Sequence, residues 1–405
     1  MNKKYFEEKE EIKEINGVPV IKKKEANAIF WVPKANRIYD APAFFNPLMG
    51  LNRDFSLVAN SVVIREIGKP VFVYEPLAGI GVRGVRNLLS LKNQIDRYVS
   101  NDINPIAASI AKANALENKV NLEVTLEDAR WQIAEFRKSD TIFPNVIDLD
   151  PFGSPTPFLD ALSYGFSRNS YLYVTATDMA PLCGVYPETC FIKYHSYPLR
   201  IYQCHEVAVR ILFYTVALTA ARRGYGIKPL FSYSTDHYIR IGIKLEKGKE
   251  KAKNTLKNTG FIYYSLKTDH FYITDFKEQK MQGKLRMDSD KTFEKVGPIW
   301  TGKLGDENFL SEMIKNAEKL PLYQKDRFVK IATTLVQEIN APLLFYRTDK
   351  VAKGISGNLP PKKLVIKKLR ERGFKAVETH FHSQGIKTDA DYEQFRQILS
   401  ELIHR

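Results

Sequence analysis

Residues 70–84 read PVFVYEPLAGIGVRG, and this stretch decides the fold. Its first half is a short run of β-branched, aromatic and other apolar residues, which is typical of a strand buried on both faces. Gly79, Gly81 and Gly84 follow in the spacing G-x-G-x-x-G, and the helical segment GVRNLLSLK begins at the last of them. Glycines at this spacing permit a tight turn and let a nucleotide cofactor approach the backbone. The stretch therefore predicts a strand, a cofactor loop and a helix.

The chain on the C-terminal side of this loop continues to alternate strands with helices. Strand-like runs are DRYVSNDI, VNLEVTLEDA, NVIDLD and YLYVTATDM, and Asn104 followed by Pro105 is typical of a helix start. This alternation predicts a doubly wound α/β sheet. The runs KPLFSYST and HYIRIGIKL then predict a terminal antiparallel hairpin. A parallel sheet that ends in such a hairpin is the usual architecture of Rossmann-like class I methyltransferases, rather than of dehydrogenases.

Composition excludes several classes of protein. With 405 residues, 44% hydrophobic and 26% charged, the chain has an ordinary globular composition. No stretch approaches the roughly 18 unbroken apolar residues of a membrane helix, and the charged start MNKKYFEEKEEIKE does not resemble a signal peptide. Three cysteines in a chain of this length suggest a reducing compartment without disulfides. We expect a cytoplasmic protein with no membrane contact, and no pattern points to an obligate protein partner.

Charge is unevenly distributed along the chain. The net charge is +15, of which residues 1–245 carry +5 and residues 246–405 carry +10. The segment 247–258 is lysine-rich and poor in apolar residues, so we place a domain boundary there, between domain 1–245, which begins with an N-terminal extension, and domain 246–405. The second of these is predicted to be a smaller α+β domain. A basic bias of this size favours a nucleic-acid partner, although a generally lysine-rich composition would produce it as well.

Acidic residues stand at the ends of the predicted strands: Glu75, Asp102, Asp128 and Asp150. Ligands of open α/β sheets bind at the carboxyl ends of the strands. A carboxylate at Asp102 can accept hydrogen bonds from both hydroxyls of a ribose, and Asp128 with Ala129 can recognise an adenine. These residues alone leave both S-adenosylmethionine and NAD open as the cofactor.

The fourth strand ends in Asp148-Leu-Asp150-Pro151-Phe152-Gly-Ser-Pro. A carboxylate followed by proline and an aromatic residue resembles the loop of amino-methyltransferases, and it favours S-adenosylmethionine. An exocyclic amine on a base is a poor nucleophile, so a carboxylate that accepts its N–H bonds orients the lone pair and can receive the released proton. Asp148 lies two residues earlier on the same strand and is the alternative base.

Several blocks together resemble the tRNA (guanine-26-N2)-dimethyltransferase family. They occur in order along nearly the whole chain and include Phe44-Phe-Asn-Pro, Asn52-Arg53-Asp54, Asn101-Asp-Ile103-Asn, Glu127-Asp-Ala-Arg, Asp150-Pro-Phe-Gly-Ser-Pro, Thr177-Asp-Met-Ala, Asp236-His-Tyr-x-Arg240 and Gly385-Ile-Lys-Thr-Asp389. The resemblance implies transfer of two methyl groups, in turn, from S-adenosylmethionine to N2 of one guanosine in tRNA.

The resemblance also implies roles for single residues. Arg53 and Arg83 would hold the methionine end of the cofactor, and Asp150 would engage the guanine amino group. Phe44 and Phe152 would form aromatic walls, with Pro151 between the acid and the second ring. The implied cofactor site comprises Arg53, Glu75, Gly79, Gly81, Arg83, Asp102, Ile103, Asp128 and Ala129. Some members carry a four-cysteine zinc site in their C-terminal half, but this chain has no cysteine after Cys204, so we predict no metal.

Nine basic residues and one acidic residue lie between positions 350 and 375. Within this stretch a helix is predicted, with Lys363, Lys367 and Arg370 on one face. These three residues are the candidate tRNA contacts, and a merely solvated basic face is the alternative. Two other functions remain open from the residues: an amino-methyltransferase for another RNA or DNA base, and an RNA-binding protein that has lost catalysis.

Overall fold

The structure, a computed structural model, describes residues 11–35, 37, 40–138, 143–267, 269–276 and 293–404. It contains two compact units. The first comprises Met1–Asp150 with Lys315–Phe328, and the second comprises Pro151–Ile314 with Val329–Arg405. This division follows from contacts within the folded chain and falls directly after Asp150. The predicted boundary was placed by composition instead, so the functional domains 1–245 and 246–405 stay a prediction.

The first unit holds the N-terminal strands, the cofactor loop and four parallel strands. Its elements are β1 Ile12–Ile15, β2 Val18–Glu25, β3 Ala28–Pro33, α1 Gly50–Ile67, β4 Val71–Glu75, α2 Val82–Leu91, β5 Ile95–Asn101, α3 Pro105–Glu117, β6 Glu123–Thr125, α4 Ala129–Lys138 and β7 Val146–Leu149.

The second unit holds the hairpin and the C-terminal sheets. Its elements are α5 Thr156–Leu162, β8 Tyr171–Ala176, α6 Met179–Leu182, α7 Pro187–Tyr194, α8 Cys204–Arg222, β9 Tyr225–Thr235, β10 Tyr238–Lys247, α9 Lys249–Lys257, β11 Thr259–Tyr264, β12 Phe271–Asp275, β13 Glu294–Trp300, β14 Tyr346–Arg347, α12 Thr348–Val351, α13 Lys362–Glu371, β15 Ala376–Glu378, β16 Gly385–Thr388 and α14 Tyr392–Ile403. Two further helices, α10 Glu307–Ala317 and α11 Lys325–Glu338, each contribute residues to both units.

Among the described residues, the strand order is β6-β5-β4-β7 in the first unit and β8-β10-β9 in the second. Strand β4 pairs in parallel with β5 and β7, and β5 pairs in parallel with β6. Strand β10 is antiparallel to both β8 and β9. The parallel strands and the terminal hairpin confirm the α/β class and the methyltransferase-type sheet that the sequence predicts.

Local sequence explains where the helix after β5 begins. The Asn104 side chain accepts hydrogen bonds from the backbone N–H groups of Ile106 and Ala107, and Pro105 occupies the first helical position. Because proline has no N–H and a fixed φ, it suits the first turn, where donors have no helical partner. The predicted start of α3 is therefore confirmed.

The three N-terminal strands form a separate antiparallel sheet in the order β1-β2-β3, which the sequence analysis treated only as an extension. One buried side chain connects this sheet to the cofactor loop. Asn114 of α3 accepts from the Trp31 backbone N–H at 2.7 Å, and its amide donates to the Ile80 carbonyl at 2.9 Å. The Asn114 side chain of α3 therefore links strand β3 to the glycine loop through hydrogen bonds.

Helix α8 is the main core helix of the second unit. By length and apolar composition it is the one helix among the described residues that could cross a membrane, yet most of it is buried within the fold. It also carries the buried ion pair of Glu206 with Arg210, at 2.8 Å. These features are those of a core helix.

The lysine-rich segment 247–258 is ordered rather than an extended linker. It forms α9, whose Thr255 hydroxyl accepts from the Ile227 N–H of β9 at 2.9 Å, while its lysines point outward. Beyond it lie two three-stranded sheets, β12-β11-β13 and β14-β16-β15. Helices α13 and α14 contribute to an apolar cluster that includes Val365, Leu369 and Phe395.

Candidate cofactor and catalytic site

The glycine loop has the backbone that its sequence predicts. Gly79 and Gly81 have φ of 55° and 75°, a left-handed conformation that disfavours side chains. A Cβ atom at Gly84 would lie 2.8 Å from the Ser100 hydroxyl, so only glycine lets α2 approach β5 this closely. The loop is thus shaped by steric necessity at all three positions.

Asp102 follows β5 directly and is held by backbone donors. Its Oδ2 accepts from the Gly79 N–H at 2.8 Å, and its Oδ1 accepts from the Asn104 N–H at 2.9 Å. Burial raises the pKa of this carboxyl above its usual range, and the two backbone donors oppose that shift. Each carboxylate oxygen has a second lone pair, so the group can still accept from a diol. Its neighbour Ile103 is 64% exposed.

Asn101 holds three strand ends together, and the sequence analysis assigned it no separate role. Its amide nitrogen donates to the carbonyls of Pro76 and Glu127 at 3.0 and 2.9 Å. Its amide oxygen accepts from the Thr125 hydroxyl and the Glu127 N–H at 2.9 and 3.1 Å. Asn101 therefore fixes the spacing between Glu75, Asp102 and Asp128. The sequence feature that could have indicated this role is its position directly before Asp102.

Asp128 and Ala129 lie at the end of β6 and the start of α4. The Asp128 carboxylate forms an ion pair with Arg130 at 2.5 Å, and this hydrogen-bonded contact lowers the pKa of Asp128. Asp128 is half-buried and Ala129 is buried. A charged acceptor at this edge suits recognition of an amino group, and adenine recognition by Asp128 and Ala129 stays a prediction.

Arg83 forms the centre of a buried acidic cluster. Its guanidinium pairs with Glu75 at 2.7 Å and with Asp150, and it lies 3.4 Å from Asp148. Ser56 links the same groups, because its hydroxyl accepts from Arg83 at 2.5 Å and donates to Asp148 at 2.7 Å. The residues predicted at the ends of β4 and β7 are therefore brought together by one arginine.

Three carboxyl groups around one guanidinium leave an excess of negative charge. Burial raises the pKa of Glu75 to about 7, with Arg83 opposing and Asp148 adding to the shift. The same acids hold the pKa of Arg83 well above its ordinary value, against the effect of burial. The cluster therefore favours a bound cation and can retain a proton near neutral pH.

The two arginines predicted to hold the methionine end of a cofactor are both buried and ion-paired. Arg53 binds Glu25 through Nε at 2.8 Å and Nη2 at 2.5 Å, and Arg86 binds the same carboxylate at 2.8 Å. Burial would raise the pKa of Glu25, but Arg53 and Arg86 outweigh it and lower the pKa. Sequence reasoning missed Glu25 because it lies in the N-terminal sheet, far away in the chain. Cofactor binding by Arg53 and Arg83 stays a prediction.

The loop after β7 opens the second unit. Pro151 is buried, whereas Phe152 is 64% exposed. Gly153, with φ of 71°, donates its N–H to the Thr177 hydroxyl at 2.7 Å and accepts from the Thr177 N–H at 2.9 Å. This double contact fixes the loop to the end of β8 and leaves the Phe152 ring accessible.

The Thr177-Asp-Met-Ala block is anchored in the same unit. Asp178 accepts from the Tyr194 hydroxyl at 2.6 Å and pairs with Lys193 at 3.1 Å. Burial, with Asp178 adding, raises the pKa of Tyr194 far above its usual value. Phe44, which the resemblance places opposite Phe152, belongs to the first unit and is half-buried there. The aromatic pair stays a prediction.

Helix α13 presents the predicted basic face. Lys363, Lys367 and Arg370 are all exposed, while Val365 and Leu369 are buried in the apolar cluster. Arg370 also donates to the Ala376 carbonyl at 2.9 Å, which fixes part of its side chain. The face is therefore accessible, and contact with RNA stays a prediction.

One cavity of about 400 Å³ lies within the second unit. The polar side chains that line it include Arg210, Lys303, Lys387, Glu338 and His380. Most of these groups are already paired: Lys387 binds Glu206 at 2.6 Å and His380 binds Glu338 at 2.8 Å. None of the predicted cofactor residues lines this cavity, so we assign the cofactor site to the strand ends instead.

Comparison with known proteins identifies the family. The family of N2,N2-dimethylguanosine tRNA methyltransferases matches residues 17–400. The tRNA (guanine(26)-N(2))-dimethyltransferase of Pyrococcus horikoshii is 36% identical over 399 residues, covering 95% of this chain and 99% of that protein. The enzyme of the same name from Methanobrevibacter smithii is 36% identical over 373 residues, covering 90% and 92%.

A solved structure agrees with these sequence matches. Trm1 from Pyrococcus horikoshii, in complex with S-adenosyl-L-methionine, is similar to this chain with a TM-score of 0.80 and 35% identity, covering 94% of this chain and 99% of that one. This chain therefore belongs to the N2,N2-dimethylguanosine tRNA methyltransferase family.

Proposed function

We propose that this chain transfers two methyl groups, one after the other, from S-adenosylmethionine to the exocyclic N2 of guanosine 26 in tRNA. The observation that carries the proposal is a family match over residues 17–400, together with an intact Asp150-Pro151-Phe152 loop at the end of β7. Intact acids and glycines argue against an RNA-binding protein without catalysis.

The strand ends fit S-adenosylmethionine. Asp102 keeps acceptor capacity for the two ribose hydroxyls, and the left-handed backbone of Gly79 and Gly81 forms the tight turn beside it. The excess acidity around Arg83 suits the cationic amine and sulfonium groups, because opposite charges attract strongly in a partly buried site. When bound, the cofactor supplies a methyl group on a positively charged sulfur, which is electrophilic.

Asp150 is the better candidate for orienting the guanine amine. Its side chain is 12% exposed, whereas that of Asp148 is 1% exposed and accepts from Ser56. A group that contacts substrate must be accessible from the end of the strand, and only Asp150 combines accessibility with charge. Asp150 accepts an N–H of the amine and directs its lone pair, and the released proton passes to this carboxylate or to water. The same arrangement serves the second methylation, because one N–H remains after the first.

The target base must leave its stacked position to reach these residues. Unstacking a nucleotide costs a few kcal/mol, which contacts elsewhere on the RNA offset. We assign the exposed Phe152 ring to stacking on the guanine and Phe44 to the opposite wall. Base–aromatic stacking of this kind contributes about 1–3 kcal/mol per base.

The contacts that offset this cost would include the basic face of α13. Lys363, Lys367 and Arg370 are exposed on one side of the helix and can contact phosphates without reading bases. Helix α9 offers a matched comparison, because its lysines at 249, 253 and 257 are exposed at the same kind of spacing. Partnership with tRNA, and a cytoplasmic location without an obligate protein partner, belong to this proposal.

The test is methylation of an unmodified tRNA transcript with labelled S-adenosylmethionine, followed by nucleoside analysis. We expect N2-methylguanosine to appear first and N2,N2-dimethylguanosine to replace it. A matched transcript with adenosine at position 26 should accept no label, and free guanosine should be a negligible substrate. Equal labelling of the adenosine-26 transcript, or labelling of DNA alone, would show that the target is another base.

A further inference from the structure

Three side chains with soft donor atoms meet in the second unit, and none of them has a role in the proposed function. Cys183 follows α6, while Cys204 and His205 open α8. The two sulfur atoms and an imidazole nitrogen all lie within 4.8 Å of one another, which makes this the one such group of potential ligands among the residues that the structure describes. The chain segment between Cys183 and Cys204 folds back to bring them together.

We propose that Cys183, Cys204 and His205 form a binding site for one thiophilic divalent cation, of which Zn²⁺ is the best match. Zn²⁺ prefers thiolate and imidazole ligands in a tetrahedron, with metal–sulfur bonds of about 2.3 Å and metal–nitrogen bonds of about 2.0 Å. Ligand atoms around such an ion are separated by roughly 3.5–4 Å, so the three groups need only small side-chain movements. Water would fill the fourth position.

The exposure of the three residues allows a cation to enter. Cys183 and Cys204 are half-buried and His205 is exposed, so the open side of the group faces solvent. Cys190, the remaining cysteine, is buried and does not belong to the group. A core thiol of that kind is a small apolar side chain, whereas a thiol pair beside an exposed imidazole can coordinate a metal.

Cys204 and His205 are the first two residues of α8, and Cys183 directly follows α6, so the ends of two helices bring the three ligand atoms together. Metal binding replaces both thiol protons, which are released to solvent. The cysteines lack the Cys-x-x-Cys spacing of common zinc sites, and the sequence analysis predicted no metal.

A bound cation would restrain the chain segment between Cys183 and Cys204. That segment contains α7, whose Tyr194 and Lys193 hold Asp178 of the Thr177-Asp-Met-Ala block. Closing this loop through Cys183 and Cys204 would therefore stabilise the strand end that carries the block. The site is distinct from the four-cysteine site known in some relatives, since all three ligands lie before residue 206.

The test uses the full-length, fully reduced protein titrated with Co²⁺, which reports thiolate coordination by a charge-transfer band in the near ultraviolet. We expect a band that saturates at one equivalent and is displaced by Zn²⁺. Cys183→Ser and Cys204→Ser should each lose most of the band, whereas Cys190→Ala should keep it. His205→Ala changes an exposed residue and should weaken Co²⁺ binding without altering the circular dichroism spectrum.

Two outcomes would overturn the proposal. The first is a reduced wild-type protein that shows no charge-transfer band. The second is a band that persists in both Cys183→Ser and Cys204→Ser. Thermal unfolding gives an independent reading, because a ligand of the folded state raises the midpoint by mass action. Zn²⁺ should therefore raise the midpoint of the wild type and of Cys190→Ala, and leave Cys204→Ser unchanged.

Discussion

Asp148 of β7 and Asp150, which directly follows this strand, can each be replaced by asparagine to distinguish the catalytic acid from the structural one. Asp150→Asn keeps the shape of the side chain but removes the charge and the proton acceptor at the strand end. Loss of a positioned acid–base group lowers turnover by about 10²–10⁴-fold. The Asp150 side chain is 12% exposed and Arg83 keeps Glu75 and Asp148 as partners, so the free energy of unfolding should fall by no more than about 1.5–3 kcal/mol, the value of one hydrogen bond to a charged group.

Asp148→Asn should lower stability and leave turnover nearly unchanged. Asp148 is buried and accepts from the Ser56 hydroxyl at 2.7 Å, beside the Arg83 guanidinium at 3.4 Å. Its amide cannot provide negative charge to Arg83, and one buried contact to a charged group is lost. Such a loss costs about 1.5–3 kcal/mol of stability. The folded variant should nevertheless retain turnover within about tenfold of the wild type, because the group that contacts the base is intact.

Two measurements on both variants decide between these roles: initial rates of tRNA methylation at saturating cofactor, and urea unfolding followed by circular dichroism. Rates are compared per folded molecule, so a stability loss in Asp148→Asn cannot imitate a catalytic one. An Asp150→Asn enzyme with near-normal turnover, alongside a folded but inactive Asp148→Asn enzyme, would refute the assignment and exchange the two roles.

Three further predictions concern the cofactor, the buried acid and the RNA. Asp102→Ala should weaken S-adenosylmethionine binding by about 1–3 kcal/mol, because two ribose hydroxyls lose their acceptor; unchanged affinity in calorimetric titration would argue against this contact. Glu75 has a folded pKa of about 7 against about 4.5 unfolded, so the folded state binds the extra proton and wild-type stability should fall by up to about 3 kcal/mol as pH rises from 4.5 to 7. Glu75→Gln should remove this fall, which urea unfolding at pH 5 and pH 8 would measure. Replacing Lys363, Lys367 and Arg370 by alanine should raise the KM for tRNA and reduce its salt dependence by up to about three phosphate equivalents, whereas replacing the three α9 lysines should do neither; equal effects in both would mean that net charge, not the α13 face, binds tRNA.

Much of the site is determined by residues that lie close together in the sequence. The glycine spacing, the acids that end β4, β5 and β6, and the Asn104-Pro105 helix start all act within a few residues of the chain. Steric limits on φ and the capping of a helix N-terminus do not depend on distant partners, so these features were predictable. The hairpin at β9 and β10 was predictable for the same reason, since two apolar runs separated by a short break pair with each other.

Long-range partners were not predictable. Glu25 binds Arg53 and Arg86, although 28 and 61 residues separate them. The sequence shows that arginines are present, but not which carboxylates neutralise them after folding. The contact of the lysine-rich α9 with β9 is of the same kind, because the few buried positions that pack the helix do not show in its composition.

The family, the order of strands and helices and the identity of the strand-end acids could be predicted from contiguous motifs. The difference between those acids arises from the folded structure. It placed Asp148 in the interior and Asp150 at the edge, gathered three carboxyl groups around Arg83, and brought Cys183 to Cys204 and His205. Burial and distance set the charge state and accessibility of a side chain, and both arise only when segments far apart in the chain pack together.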